Sequence, residues 1–270
     1  MKERKVVHRA HYNNHLVEVI DKGDERSLVF AGNVVQSSMS IKTPYSLSLS
    51  YTRYMMAALL LNEFPEKVLV VGLGAGSLLR FINYHFPHCL IDAIDNSAHV
   101  INLSRKYFNL PDRPEISIHC CDGYDFLSAL SSEQTYDLIL VDAFDANGMS
   151  ATVYRPDFFD LCGDHLKQGG IISLNLWSGN SERLGEVKED ISSRFASIVE
   201  IPVPKRGNVI CLGRNDKLIW SMLRKNRSDL DRLSDRFSIN FKAIVNICLK
   251  SNLNFFQRLS HRFSEPARNH

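Results

Sequence analysis

Three glycines at alternate positions form the first feature of this chain that could do chemistry. Gly72, Gly74 and Gly76 directly follow the apolar run 68–71. Glycine allows a tight turn and lets backbone N–H groups approach a ligand closely, as in loops that join a strand to a helix. The spacing differs from the dinucleotide pattern G-x-G-x-x-G, because Ser77 stands where the third glycine would fall. The loop therefore indicates an adenosyl ligand and disfavours a nicotinamide oxidoreductase.

Two carboxylates, Asp142 and Asp145, follow a second apolar run at 138–141. A carboxylate that ends a buried strand is costly unless it faces a ligand cleft. The pair could bind a cation, hold a metal or act as acid and base. No histidine accompanies them, so the pattern favours binding and deprotonating an amine, with no metal. A turn at 145–148 is the alternative explanation for Asp145, and it leaves Asp142 unexplained.

Two further acids stand where an adenosyl cofactor could meet them. Asp95 is near the separation from the glycine loop at which an acid accepts ribose hydroxyls, with Asp92 a weaker candidate. Asp122 follows the next apolar run, where a carboxylate could accept a hydrogen bond from the adenine amino group. Both Asp95 and Asp122 could instead cap the helices that are predicted after them.

The elements that must position these residues alternate from residue 67 onward. Strands are predicted at 68–71, 90–94, 116–120, 138–141 and 171–174, with helices at 77–85, 98–107, 124–130 and 155–165. Apolar strands separated by helices predict a parallel sheet that is covered on both faces. The glycine loop and the acids then meet at the carboxyl edge of that sheet. Two later strands, 198–203 and 209–212, are predicted without a direction.

The fold class is therefore α/β, and the chain divides into three segments. Residues 1–50 contain three short β-runs and predict a small N-terminal β-domain. Residues 51–215, which begin with a helix predicted over 51–64, form the Rossmann-like domain. Residues 216–270 interleave basic and apolar residues, which predicts a basic helical extension. Such an extension suits a helical lid or an oligomer contact better than a membrane or RNA contact.

Composition narrows the class of partner. The formal net charge is +2 with 44% hydrophobic residues, which gives no reason to expect nucleic acid or a membrane. The longest apolar run, 55–61, is far below the roughly 20 residues that span a bilayer. The six cysteines form no C-x-x-C pair, so they predict free thiols in a reducing compartment. We expect a cytoplasmic protein.

These motifs resemble the polyamine aminopropyltransferase (spermidine synthase-like) family, within the class I S-adenosylmethionine-dependent transferase fold. The resemblance covers roughly residues 16–213 and rests on the segments 34–36, 68–79, 107–108, 122–123, 136–145 and 166–170. It implies a small N-terminal β-domain, a Rossmann-like catalytic domain and a homodimer or homotetramer. It also implies transfer of an aminopropyl group from decarboxylated S-adenosylmethionine to a polyamine, a small-molecule amine.

The resemblance assigns roles to individual residues. Asp142 matches the family's catalytic carboxylate, which orients and deprotonates the attacking amine, and Asp145 matches a second acid on the loop over the substrate. Asp122 matches the acid that contacts adenine. The family's ribose-binding Glu falls on Ala93, so Asp95 or Asp92 would have to replace it.

Other positions depart from the family pattern. Ala75 stands where the family has an Asp that binds the aminopropyl ammonium. The family's Tyr before the glycine loop is Tyr51, but Thr52 and Arg53 follow it in place of Gln or His. Arg53 would suit the carboxylate of intact S-adenosylmethionine, or it could be an exposed helix residue. Two alternatives therefore stay open: a methyltransferase acting on a small nucleophile, and a non-catalytic protein that binds methylthioadenosine or a polyamine.

Overall fold

Four antiparallel strands form the first sheet of the protein. The computed structural model describes residues 3–12, 15–30, 34–145, 148–155, 157–217, 223 and 225–252. The first sheet has the order β1-β2-β3-β4 and consists of β1 (Arg4–Tyr12), β2 (His15–Lys22), β3 (Glu25–Phe30) and β4 (Val34–Ser40). The β-rich character of this region is confirmed. Strand β1 was not predicted, because it is an edge strand whose residues are largely exposed and carry little apolar alternation.

A seven-stranded sheet forms the centre of the larger part. It contains β5 (Lys67–Val71), β6 (Leu90–Asp95), β7 (Ile116–Cys120), β8 (Tyr136–Val141), β11 (Leu166–Trp177), β12 (Ser197–Pro202) and β13 (Asn208–Arg214), in the order β12-β13-β11-β8-β5-β6-β7. The neighbouring strands from β11 through β8, β5 and β6 to β7 are parallel, and β13 is antiparallel to both of its neighbours. A short hairpin, β9 (Phe144–Asp145) with β10 (Gly148–Met149), follows β8. The predicted parallel α/β sheet is confirmed.

Helices cover the larger sheet. They are α1 (Ser50–Met55), α2 (Ser77–His85), α3 (Ala98–Tyr107), α4 (Gly123–Ala129), α5 (Phe158–Asp164), α6 (Ser181–Arg194), α7 (Arg227–Phe237) and α8 (Phe241–Asn252), with 3-10 turns at Met56–Leu60 and Ala151–Tyr154. The helix predicted over 51–64 is therefore α1 followed by a 3-10 turn. The helix predicted over 155–165 begins only at Phe158, because Asp157 has a left-handed φ of 62°.

The two C-terminal helices account for much of the amphipathic pattern of the extension. Leu230, Leu233, Phe237, Phe241 and Ile244 are buried in the same apolar cluster as strand β5 and helix α2. Arg232 and Arg236, two basic residues of α7, pair with Glu63. Residues 253–270 of the predicted extension lie outside the described residues. In the part of the chain that the structure describes, no helix has the length and apolar character to cross a bilayer.

Candidate active site

A cleft of about 1030 Å³ lies between the N-terminal sheet and the carboxyl edge of the larger sheet. Leu28, Phe30 and Gln36 line it from the N-terminal sheet. The opposite wall comes from the loops that follow β5, β6, β7 and β8 and from the end of β11. The predicted residues that line it are Tyr51, Gly72, Gly74, Asp95, Asp122 and Asp142. Parallel strands bring the glycine loop and the three acids together, since the carboxyl ends of the strands meet at one edge, and helix α1 supplies Tyr51.

The glycine loop is locked against the strand that carries Asp142. Gly72 has φ of +94°, and a Cβ atom there would lie 2.2 Å from the Asp142 carbonyl oxygen. Two backbone hydrogen bonds hold the same arrangement: Gly72 N–H to Ile94 O at 2.9 Å and Asp142 N–H to Val71 O at 2.8 Å. Only glycine tolerates both this φ and this close approach. Gly72 therefore fixes the position of the acid as well as the shape of the loop.

Asp142 sits at the centre of a hydrogen-bonded group. Tyr51 donates its hydroxyl to Asp142 Oδ2 at 3.1 Å, and Asn175 donates its amide to Asp142 Oδ1 at 2.8 Å. Burial raises the pKa of Asp142 to about 6, and the two hydrogen bonds oppose that rise. The pKa of Tyr51 is raised well above its ordinary value by burial and by the neighbouring carboxylate. Tyr51 therefore stays a hydrogen-bond donor when Asp142 is ionised.

Asn175 is itself oriented by a second asparagine. Asn208, on β13, donates its side-chain amide to Asn175 Oδ1 at 2.9 Å, which leaves the Asn175 NH₂ group facing Asp142. Both asparagines are buried. This pair was not predicted from the sequence. An asparagine within the apolar stretch 171–176 was the available signal, because a buried amide needs hydrogen-bonding partners.

Asp95 supports the glycine loop from the end of β6. It accepts hydrogen bonds from Gly74 N–H at 3.1 Å and from Ser97 N–H at 2.9 Å. Burial raises the pKa of Asp95, while the backbone N–H groups of Ser97, Gly74 and Leu73 act against that rise. Ser97, rather than Asp95, caps helix α3 through its own hydroxyl. Asp92 bonds to His119 and Tyr136 and is not among the residues that line the cleft.

Asp122 has the helix-capping role that the sequence offered as an alternative, and its contact with adenine stays a prediction. It is the N-cap of α4, accepting from Tyr124 N–H at 2.9 Å, and it also lines the cleft. Its other carboxylate oxygen accepts from the Thr152 hydroxyl at 2.5 Å. The guanidinium of Arg155 lies 3.7 Å away. Both carboxylate oxygens are therefore held at the strand end, where the side chain borders the cleft.

Three predicted positions stand apart from this group. Arg53 does not line the cleft, and its guanidinium donates to the carbonyl oxygens of Leu47 and Ser48 at 2.6 and 2.9 Å. Asp145 is placed by its backbone in β9, and its contact with substrate stays a prediction. Gly76 has φ of +75° and turns the loop into α2 rather than lining the cleft.

Ala75 is fully buried and is not among the residues that line the cleft. Its methyl group belongs to an apolar cluster that joins the N-terminal sheet to α3 and includes Val17, Leu28 and Phe108. Its carbonyl oxygen accepts a hydrogen bond from Arg80. The loop position that matches the ammonium-binding acid therefore contributes to packing between two layers. Among the described residues, no three His, Cys, Asp or Glu side chains come together as a metal site would need.

Comparison with known proteins identifies the family. The model of the spermine/spermidine synthase domain matches residues 48–200, more than half of the chain. A protein of Chromobacterium violaceum named polyamine aminopropyltransferase is 33% identical over 240 residues, which cover 87% of this chain and 90% of that protein. The chain belongs to the spermine/spermidine synthase family. The resemblance seen in the sequence is confirmed.

Solved structures support the same fold. A spermidine synthase in complex with the transition-state analogue AdoDATO matches with a TM-score of 0.72 at 16% identity, over 96% of this chain and 88% of that chain. Human methyltransferase-like protein 13 in complex with SAH matches with a TM-score of 0.61 at 23% identity, over 72% of this chain and 93% of that chain. The architecture is thus shared with a spermidine synthase and with a methyltransferase-like protein.

Proposed function

We propose that this protein transfers the aminopropyl group of decarboxylated S-adenosylmethionine to a primary amine, with polyamines as the acceptor class that family membership suggests. One observation carries the proposal. The Asp142 carboxylate is held by Tyr51 and Asn175 in the same cleft as the glycine loop, and its pKa is raised to about 6. A carboxylate in that state can take a proton from an attacking ammonium group better than an ordinary aspartate can.

The adenosyl group fits the part of the cleft next to the glycine loop. Gly72 and Gly74 leave the wall free of side chains there, and Asp95 and Asp122 border the same space. In this proposal Asp122 accepts a hydrogen bond from the adenine amino group, and Asp95 accepts hydrogen bonds from ribose hydroxyls. When bound, the sulfonium group supplies an activated carbon and a neutral thioether leaving group.

Asp142 handles the proton of the acceptor. An amine has an unperturbed pKa of about 10, so the acceptor arrives as an ammonium ion and must lose a proton to attack. Because the pKa of Asp142 is raised to about 6, the difference between the pKa of the amine and that of the carboxyl group is about two pH units smaller than for an ordinary aspartate. The nitrogen–carbon bond then forms while the carbon–sulfur bond breaks, the electron pair goes to sulfur, and methylthioadenosine is the product. The proton passes to Asp142 and from there to solvent.

Methyl transfer is the second candidate, and one observation favours it. The methyl group of Ala75 packs in an apolar cluster, so the glycine loop offers no carboxylate for the ammonium of a decarboxylated cofactor. Losing that contact reduces the advantage of the decarboxylated cofactor over intact S-adenosylmethionine. Arg53 gives no added support, since its described hydrogen bonds go to backbone carbonyl oxygens.

Product analysis tests the proposal. Purified protein is incubated with putrescine and either decarboxylated or intact S-adenosylmethionine, and the nucleoside products are identified by mass spectrometry. Methylthioadenosine made from the decarboxylated cofactor, dependent on added amine, is the expected result. Formation of S-adenosylhomocysteine would favour the methyltransferase. If neither product appears while methylthioadenosine still binds, the protein is a binding protein.

A cytoplasmic location and a homodimer or homotetramer are further proposals, suggested by the family and by the sequence. Light scattering after gel filtration measures the oligomeric state directly. A monomer at micromolar concentration would contradict the second proposal.

A further inference from the structure

A short series of hydrogen bonds joins the segment after β8 to the carboxylate of Asp122. Thr152, in the 3-10 turn that follows β10, donates its hydroxyl to Asp122 Oδ2 at 2.5 Å. The Thr152 hydroxyl oxygen lies 3.2 Å from that of Ser150, and the Ser150 N–H donates to the Ala143 carbonyl oxygen at 2.9 Å. Ala143 directly follows Asp142 in the sequence. The series therefore connects the residue next to the proton-accepting carboxylate with the acid that the proposed function assigns to adenine.

The direction of each hydrogen bond in this series is defined. A threonine hydroxyl has one proton, and the proton of Thr152 goes to Asp122. Ser150 must therefore donate its own proton to the Thr152 oxygen, while the Ser150 oxygen accepts from the Thr152 N–H at 3.4 Å. Both hydroxyl side chains are buried, and a buried hydroxyl that loses its partner is destabilising. The segment 150–152 is thus held to Asp122 by hydrogen bonds between buried groups.

Packing places Thr152 in the same position. A Cβ atom at Gly123 would lie 3.4 Å from the methyl group of Thr152 and 2.6 Å from Cγ1 of Val71. The glycine therefore leaves room for Thr152 beside the end of β5, just before the glycine loop. Ser150 and Thr152 line the cleft together with Asp122. A ring that bound beside Asp122 would border this segment as well.

We propose that Thr152 is a positioning residue that couples the adenosyl site to the acceptor site, so that each ligand binds more tightly when the other is present. The inference rests on the proposed function, because it places adenine at Asp122 and the reacting amine at Asp142. Thr152 acts through its hydrogen bond to Asp122 and touches neither reacting atom.

Exclusion of water supplies the coupling. An adenosyl ligand beside Asp122 removes water from the hydrogen bond between Thr152 and Asp122, and such a bond is stronger in a less polar environment. The segment from Ser150 to Thr152 is then held more firmly before the amine arrives. Acceptor binding therefore loses less conformational entropy than it would in the free protein.

Calorimetric titration of the full chain measures the coupling. The dissociation constant of putrescine is determined without and with saturating methylthioadenosine, and that of methylthioadenosine without and with saturating putrescine. We expect each ligand to raise the affinity for the other by the same factor, about fivefold or more, because coupling between sites is reciprocal. Thr152→Val removes the hydroxyl but keeps the branched shape, and it should reduce this factor to less than about twofold. Thr152→Ser keeps the hydroxyl and should retain the coupling.

Ser173→Ala is the matched control. The Ser173 hydroxyl is also buried and donates to the Met55 carbonyl oxygen at 3.0 Å, but it does not line the cleft, so the coupling factor should stay unchanged.

Three results would overturn the inference. They are a natural protein that binds only one ligand or binds the two independently, a factor that is unchanged in Thr152→Val, and a factor that falls equally in Thr152→Ser or in Ser173→Ala. Turnover of decarboxylated S-adenosylmethionine with putrescine is measured in parallel. Absence of turnover in a natural protein that shows the expected coupling would refute the proposed function alone.

Discussion

The floor of the cleft and its rim differ in how they are built. The floor, formed by the ends of β5, β6 and β8, holds Gly72, Asp95 and Asp142 through backbone hydrogen bonds and buried partners. The rim, formed by the β12–β13 turn, presents Lys205 and Arg206 on exposed side chains. Rigid placement suits the reacting atoms, since small displacements there are costly to the rate. Exposed charges act mainly on the encounter with a charged ligand.

This difference predicts that substitutions in the floor and in the rim have different effects on the kinetics. Changes in the floor should lower kcat for every acceptor, because they alter the chemistry itself. Changes in the rim should alter KM more than kcat, because they act on the approach of the acceptor. Asn208 is the exception that joins the two, since it lines the cleft beside the rim and orients Asn175 on the floor.

Asp142→Asn should have the largest effect on activity. Removing the proton acceptor is expected to lower kcat by about 10³-fold with putrescine. Full activity would refute the role of Asp142. The steady-state rate should be followed through methylthioadenosine release.

The stability of the same variant provides the control for misfolding. The folded pKa of Asp142 lies above its ordinary value, so ionisation of the carboxylate costs stability as the pH rises through about 6. Asparagine avoids that cost. Asp142→Asn should therefore be more stable than the natural protein at pH 8, by up to ~3 kcal/mol, and should gain little at pH 4. Urea unfolding at the two pH values measures this difference.

Gly72→Ala should be the next most damaging change. The new Cβ atom would overlap the Asp142 carbonyl at a φ of +94°, so both the loop and the acid must move. We expect a loss of about 3 kcal/mol in stability and about 10²-fold in kcat for all acceptors. Gly185→Ala in helix α6 is the control, because its Cβ would meet nothing within 4 Å and should be neutral or slightly stabilising. Equal behaviour of the two variants would show that the loop is not constrained as described.

The pH dependence of kcat/KM should show an acid limb near pH 6. Asp142 must be ionised to accept a proton, so activity should fall about tenfold for each unit below its pKa. The Tyr51 hydroxyl lowers the pKa of Asp142, and Tyr51→Phe should therefore move the limb to higher pH. A limb that stays in place in this variant would mean that another group controls it.

Asn208→Leu should produce the smallest effect, because it acts through Asn175. Without Asn208, the Asn175 amide is no longer held toward Asp142, and the pKa of Asp142 should rise. We expect a loss of about three- to tenfold in kcat at pH 7 that is largely recovered by pH 9. A loss that persists at pH 9 would indicate structural damage rather than positioning.

The floor of the cleft was largely predictable from the sequence. Glycine spacing, apolar runs and strand-end acids are local signals, and neighbouring parallel strands then bring Gly72, Asp95 and Asp142 to one edge. The direction of the Arg53 side chain could not be predicted, because it depends on packing. Its guanidinium donates to backbone carbonyl oxygens and does not reach the cleft.

The rim could not be predicted in the same way. Lys205 and Arg206 lie in a turn whose position depends on β13 being inserted antiparallel between β11 and β12. The sequence predicted two strands there without a direction, so it could not place their turn at the cleft. The Asn175–Asn208 hydrogen bond depends on the same long-range pairing.

The burial of Ala75 limits which substitutions are tolerated at position 75. A carboxylate at that position would place a charge among Val17, Leu28 and Phe108, and an uncompensated buried charge is strongly destabilising. A single substitution of Ala75 by an acid would therefore lower the stability of the protein. Neighbouring positions in the N-terminal sheet would have to change with it. Packing against the N-terminal sheet therefore disfavours an acid at position 75. Any cationic group of a ligand must then be bound by residues in other parts of the cleft.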